Sequence, residues 1–235
     1  HGLVMAAHPQ VAERMIHLLG LIQRGRLGRL ARGDEQHGRS LDGLRTEHPF
    51  FAMLEVPGGP VSVTAWTREG RVDVATVQRP IAEVEGRMDL VIAVQDSALG
   101  ACLQVVDLKT TGCLAPYRPD DVTQGHPLQD LSGIGEDGRT QAERDELAHY
   151  ALQLALYSMA LEAQETARPE GQRRRVLPPA LLVAASGRMV EMTDEEYANH
   201  RSEAERLMRW KVQLSVDHES VVEPARLPGD AAEPC

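Results

Sequence analysis

Two apolar runs in the middle of the chain each carry an aspartate where a buried strand would be expected to be apolar. The first is Glu85-Gly-Arg-Met-Asp89-Leu-Val-Ile-Ala-Val94, and the second is Leu103-Gln-Val-Val-Asp107-Leu-Lys109. Side chains alternate across a strand, so Asp107 and Lys109 share a face. The polar stretch Gln95-Asp-Ser-Ala-Leu-Gly100 joins the runs and predicts a β-hairpin. With the turn centred near Ala98, Asp89 and Asp107 stand opposite each other, their Cβ atoms roughly 4.5–5.5 Å apart. Two facing carboxylates repel unless a cation lies between them. Lys109, on one side, does not neutralise both, and a divalent metal is the simplest compensation. A bulge would change this register. Glu69-Gly-Arg-Val-Asp73-Val echoes the first run, which makes Asp73 an alternative to Asp89. It is the weaker one, because its apolar run is shorter and farther from Asp107.

The elements that must position these groups follow from periodicity. Residues 11–30 are amphipathic at helical spacing, with Val11, Met15, Leu18, Leu19 and Ile22 near one face and His17 beside it. Residues 32–40 read as a loop. Glu47 opens a strand that runs to Glu55, Pro57-Gly-Gly-Pro60 is a turn, and residues 61–66 and 71–77 form a hairpin. The long polar segment from Thr110 to Arg139 is either a flap near the site or a tolerated insertion. Thr140 and Glu143 make a capping box for the strongest helix, residues 140–165. Its expected buried stripe is Leu152, Ala155, Leu156 and Met159, with Tyr150, Gln153 and Tyr157 on the adjacent face. Residues 179–185 and 188–192 are strands. Thr193 caps a last helix over 194–214, and the Pro-rich tail from Val221 is expected to fray. The order is helix, strands, helix, strands, helix, which predicts an α/β (α+β) fold with a mixed central sheet flanked by helices. The expected organisation is a helical segment over 1–45 packing on the core, the core itself over 46–215, and a flexible tail over 216–235.

At 235 residues the chain can bury a full core. Its formal net charge of -10 excludes a globally basic nucleic-acid binder and suits acidic clusters that hold metal. Basic residues still gather at Arg24, Arg26, Arg29 and Arg32, and again at Arg173, Arg174 and Arg175. Such clusters are solvated surface or follow a phosphate backbone. Cys102, Cys113 and Cys235 make neither a disulfide framework nor a zinc or iron–sulfur spacing, so a reducing cytoplasm is the expected compartment. No apolar run approaches the roughly 20 residues of a membrane span, and no signal peptide is visible. The chain opens on His1, which fits a domain cut from a longer polypeptide.

Three segments taken together resemble the RecB-type branch of the PD-(D/E)XK nuclease superfamily. They are Gly86-Arg-Met-Asp89-Leu-Val, Val105-Val-Asp107-Leu-Lys109-Thr and Tyr150-Ala-Leu-Gln153-Leu-Ala-Leu-Tyr157. Glu47-His-Pro-Phe50 looks like the segment that often enters the first core strand, and His17 resembles an upstream metal-binding histidine. The resemblance covers roughly Val11 to Leu214. Asp-x-Lys alone carries little weight, whereas G-x-x-D, hydrophobic-D-x-K and a downstream Q-x-x-x-Y together are fairly specific. The first aspartate follows Met88 rather than proline, which is ordinary for this branch.

The resemblance implies a restriction-endonuclease-like core and a Mg²⁺- or Mn²⁺-dependent deoxyribonuclease. Asp89 and Asp107 would bind the metal, joined by the backbone carbonyl of Leu108 and by His17. Lys109 would orient the attacking water or neutralise charge on the phosphate, and Gln153 and Tyr157 would hold the site and the strand. The four-cysteine iron–sulfur cluster of some relatives is absent. That leaves AddA- or RecB-like C-terminal nuclease domains, which follow a helicase motor. No G-x-x-x-x-G-K-[ST] loop occurs here, so any motor lies on missing sequence or another chain. The expected partner is DNA, as single strands or duplex ends, and no membrane. The competing readings are a catalytically silent DNA-binding or scaffolding module on the same fold, and an unrelated acidic α/β domain that mimics the motif.

Overall fold

A computed structural model describes residues 9–33, 38–67, 70–110 and 131–219. Two helices, α1 (Pro9–Arg24) and α2 (Arg26–Arg32), precede five strands: β1 (Arg39–Glu55), β2 (Val61–Thr67), β3 (Gly70–Val77), β4 (Ile81–Asp96) and β5 (Gly100–Lys109). Then come α3 (Gln141–Thr166), a short 3₁₀ turn, β6 (Arg175–Val176), β7 (Ala180–Val183), β8 (Arg188–Glu191) and α4 (Asp194–Glu219). Contacts divide the chain into two units, residues 1–53 with 83–204, and residues 54–82 with 205–235.

The larger unit is built on a six-stranded mixed sheet in the order β1-β4-β5-β7-β8, with β6 also paired to β5. β4 and β5 are antiparallel from Leu90↔Val106 to Asp96↔Gly100, so the turn is centred on Ala98 as the sequence indicates. β7 adds parallel to β5, and β8 antiparallel to β7. A parallel neighbour needs a crossover connection, and α3 lies in the chain between β5 and β7. One face of the sheet packs Leu90, Ile92, Val94, Val106, Ala180 and Leu182 against Leu30 of α2, with Ile22 and Leu27 at the margin. Burying one such side chain stabilises by roughly 1.5–3 kcal/mol. The other face carries the odd-numbered residues of β4 and β5, and α3 packs on β5 and β7.

Local differences from the sequence reading have physical causes. The predicted helix over 11–30 breaks at Gly25, which is extended and whose N–H donates to the Leu21 and Ile22 carbonyls at 2.8 and 3.2 Å. A Cβ on Gly25 would lie 1.9 Å from the carbonyl oxygen of Gly187, so only glycine lets this corner meet the β7–β8 turn. β1 begins at Arg39, not Glu47. The sheltered positions of β1 change parity, from 39, 41 and 43 to 48, 50, 52 and 54, and between them Glu47 takes φ 50°. These are the marks of a β-bulge, which hid the first half of the strand from a period-two reading. The buried stripe of α3 also differs: Leu147, Ala151, Leu154, Ala155, Ser158 and Met159 are buried, whereas Leu152 and Leu156 are half-buried.

Capping boxes start both long helices. Thr140 Oγ1 accepts from Glu143 N at 3.2 Å, and Glu143 Oε2 accepts from Thr140 N at 2.9 Å. Thr193 and Glu196 repeat the pattern at 3.1 and 2.7 Å. Glu143 is fully buried, and its charge is met by Arg188 Nε at 2.6 Å. Tyr197 OH donates to Glu162 Oε1 at 2.8 Å, which ties the first turns of α4 to α3.

In the smaller unit β2 and β3 form an antiparallel hairpin with a bulge between Val63 and Thr64. The turn over 57–60 is clasped by Arg209, whose guanidinium donates to the carbonyls of Pro57, Gly59 and Pro60 at 3.3, 2.9 and 3.0 Å. No helix among the described residues is long and apolar enough to cross a membrane. Most of the predicted flap (111–130) and the tail from Val221 lie outside the described residues, as do Cys113 and Cys235.

Candidate functional site

Continuing the β4–β5 register by one residue beyond Leu90↔Val106 sets Asp89 opposite Asp107. There the ladder ends and a side chain takes over: Asp89 Oδ2 accepts a hydrogen bond from the backbone N–H of Leu108 at 3.0 Å. The carbonyl of Lys109 accepts from Ala184 N at 3.0 Å, so Lys109 faces β7 with its backbone. Its neighbour Leu108 therefore faces β4, and the N–H and carbonyl of a strand residue point to the same side. The Leu108 carbonyl is thus aimed towards the strand that carries Asp89.

Asp107 sits on the central strand, flanked by β4 and by β7, where it pairs with Leu181. It is only 4% exposed. Burial raises its carboxyl above the ordinary carboxylate range; Lys109 opposes that shift and the neighbouring charge of Asp89 adds to it. Lys109 Nζ stands 2.5 Å from Asp107 Oδ2, yet off hydrogen-bonding alignment, so this buried oxygen has no aligned donor among the described residues. Lys109 Nζ also lies 3.2 Å from the centre of the Tyr150 ring, a cation–π contact that fixes the ammonium from the helix side. The tyrosine in turn meets His149 edge to face, with ring centres 4.7 Å apart.

The other two predicted residues of α3 pair with each other. Gln153 Nε2 donates to Tyr157 OH at 3.0 Å, and both are half-buried. The Tyr157 ring meets Phe50 edge to face at 5.2 Å. Gly86 lies beneath this pair: a Cβ there would come within 3.0 Å of Phe50 Cε1 and 3.6 Å of Tyr157 Cε1. The glycine of the G-x-x-D segment therefore makes room for the aromatic contact that holds Tyr157.

Asp89, Asp107, Leu108 and Lys109 are thus brought together, with Tyr150 over Lys109. His17 is not brought to them. It is exposed on α1, and no group of three or more His, Cys, Asp or Glu able to hold a metal occurs among the described residues. Asp73 belongs to the two-stranded sheet and not to the sheet that holds Asp107, and its side chain lies outside the described residues. The basic clusters are partly committed within the fold. Arg26 pairs with Glu191 at 2.5 Å, Arg174 with Glu165 at 2.9 Å, and Arg173 donates to the Arg168 carbonyl at 2.9 Å.

The contact of Tyr150 with Lys109 was not assigned from sequence; its signal is the shared face of β5 that α3 covers. The support of Tyr157 by Phe50 left no signal, because it joins residues over a hundred positions apart.

The donor set suits a hard divalent cation. Mg²⁺ takes oxygen ligands, keeps several waters and is bound through one or two carboxylates rather than a full protein cage. Two facing carboxylates on paired strands meet the carboxylate part of that description. No protein-family profile, curated protein or solved structure matches this chain.

Proposed function

We propose that the chain is a metal-dependent deoxyribonuclease, a RecB-like exonuclease domain that works with a helicase in DNA recombination and repair. The observation that carries this reading is the meeting of Asp89 and Asp107 across two paired strands, with Lys109 against Asp107. The order of elements supports it: helices, then β1, β4 and β5 as neighbouring strands, then α3, then β7 parallel to β5.

Bound between the carboxylates, Mg²⁺ or Mn²⁺ would supply Lewis-acid stabilisation of a phosphate oxygen and a more acidic water. Asp89 and Asp107 provide the anchoring oxygens, with the Leu108 carbonyl beside them. Lys109 carries a fixed positive charge to the same place, where it orients the attacking water and offsets charge growing on the phosphate. A lysine suits this as a compact point charge. Tyr150 restrains the ammonium, and the Gln153–Tyr157 pair holds the helix face that borders the site.

A catalytically silent DNA-binding or scaffolding module on the same fold is the second reading. It is favoured by the lack, among the described residues, of a third metal-ligating side chain beside the two aspartates. Purified protein incubated with linear single-stranded or blunt duplex DNA separates the two. The nuclease digests DNA with Mg²⁺ or Mn²⁺ and not with chelator, and Asp107→Ala and Lys109→Ala abolish digestion while DNA binding persists. Digestion by both variants at the parental rate would remove the assignment. Binding without digestion by the parent would favour the silent module.

A further inference from the structure

The face of the sheet that carries Asp89 and Asp107 does not end at the carboxylates. Further along it, a groove of about 480 Å³ opens between β1, the sheet and the second half of α3. Val91, Ala93 and Leu103 are among its lining residues. They have the same strand parity as Asp89 and Asp107, and Ala93 pairs with Leu103 in the register. At about 3.3 Å per residue, Val91 and Ala93 lie about 7 and 13 Å along β4 from Asp89.

The groove's polar lining is unbalanced. It holds Arg45, Arg168 and Arg174 against Asp42 and Glu165, within a chain of net charge -10. Glu165 is spent on Arg174 and Arg168, at 2.9 and 3.0 Å. Among the described residues Arg45, His48 and Gln164 have no side-chain partner, and Arg45 is exposed. The bulge at Glu47 lies between Arg45 and His48, where the sheltered side of β1 changes.

We propose that this groove seats the nucleotide next to the one being cut, its base against Val91, Ala93 and Leu103 and its phosphate held by Arg45 with His48. An apolar floor with a few polar groups at its edge suits a small ligand of this size, and the unpartnered guanidinium of Arg45 selects a phosphate over a neutral ligand. The groove lies on the same face of the sheet as the two aspartates, within the span of a neighbouring nucleotide along β4. This assignment rests on the nuclease reading, which its test must separate from it.

The test measures binding of a short fluorophore-labelled oligothymidylate to the full chain in chelator, by anisotropy over a salt series. For single strands the slope of log K against log salt falls by about 0.7 for each phosphate that the protein no longer neutralises. Arg45→Glu should lower affinity by about fivefold or more and flatten the slope by about 0.7, while Arg45→Lys stays near the parent. An Arg45→Glu protein with parental affinity and slope overturns the groove, even if the parent digests DNA with Mg²⁺. Weakened binding in Arg45→Glu with a parent that never digests DNA keeps the groove and sinks the nuclease. Thymidine monophosphate binding as tightly as the oligonucleotide overturns the strand assignment in favour of a free nucleotide.

Discussion

The strongest handle on the site is the response of stability to magnesium in Asp107→Asn. Asp89 and Asp107 face each other on paired strands, and at an effective dielectric near 20 two unit charges about 5 Å apart repel by about 3 kcal/mol. The substitution removes this repulsion, but it also removes the attraction to Lys109 Nζ at 2.5 Å. The two are of opposite sign, and the attraction acts over the shorter distance, so the metal-free melting temperature mixes them and is a poor reporter. The metal-dependent increment is a good one. A ligand at ten to a hundred times its dissociation constant stabilises by about 1.4–2.7 kcal/mol. For a chain of this size 1 kcal/mol moves Tm by about 2–4 °C, so the parent should gain about 3–11 °C with saturating Mg²⁺. Asp107→Asn, with one anchoring charge gone, should gain close to none.

The same titration has a pH arm. The Asp107 carboxyl is raised in the folded protein, so its contribution to stability is present below the unfolded carboxylate value and is lost as pH rises through the folded one. Metal-free parent should therefore lose stability, relative to Asp107→Asn, as pH rises through the range just above the ordinary carboxylate value. Because protons compete for the same oxygens, the Mg²⁺ increment should shrink as pH falls through that range. Differential scanning fluorimetry with and without Mg²⁺ at several pH values measures both. An equal Mg²⁺ increment in parent and Asp107→Asn would refute the reasoning.

Three further outcomes are expected. Lys109→Met should slow DNA cleavage by about a hundredfold or more while keeping the magnesium increment in Tm, because the ammonium stabilises developing charge without ligating metal; loss of the increment would make it a structural residue. Gly86→Ala should cost about 1–3 kcal/mol through overpacking, since its new Cβ would meet Phe50 at 3.0 Å, and a parental urea midpoint would contradict that contact. Arg188→Met should cost about 3–5 kcal/mol, because it leaves the fully buried Glu143 without its cation, and the loss should be eased in Glu143→Gln/Arg188→Met, read by denaturant unfolding.

The legibility of this fold in its sequence varied with the range of the interaction. The β4–β5 hairpin and its register were readable, because a short polar turn fixes its own centre and thereby sets which residues oppose each other. Both capping boxes were readable for the same reason: their partners are three residues apart. The break at Gly25 was not, because it answers to Gly187, a backbone carbonyl far along the chain. The start of β1 was missed because the bulge at Glu47 shifts the inward side of the strand. In the candidate site, the convergence of the two carboxylates followed from parity and turn position. The seating of Lys109 on Tyr150 did not, since it depends on where α3 lies over β5. His17 shows the converse: a helical histidine of suitable type says nothing about where its helix points.

The placement of β5 in the sheet has a consequence for how the protein is made. One edge of β5 is closed early, by the hairpin partner synthesised just before it, but the other waits for residues 175–176 and 180–183. Until the ribosome has extruded some seventy further positions, the strand that carries Asp107 and Lys109 offers a bare row of amides and carbonyls. A chain stalled or clipped before Ala180 would keep both acidic groups and the lysine, yet would lack the wall that holds them. Such a fragment should be sticky and inert, prone to pairing with other strands. Closure of the sheet and resistance to self-association should therefore arrive together, late in translation.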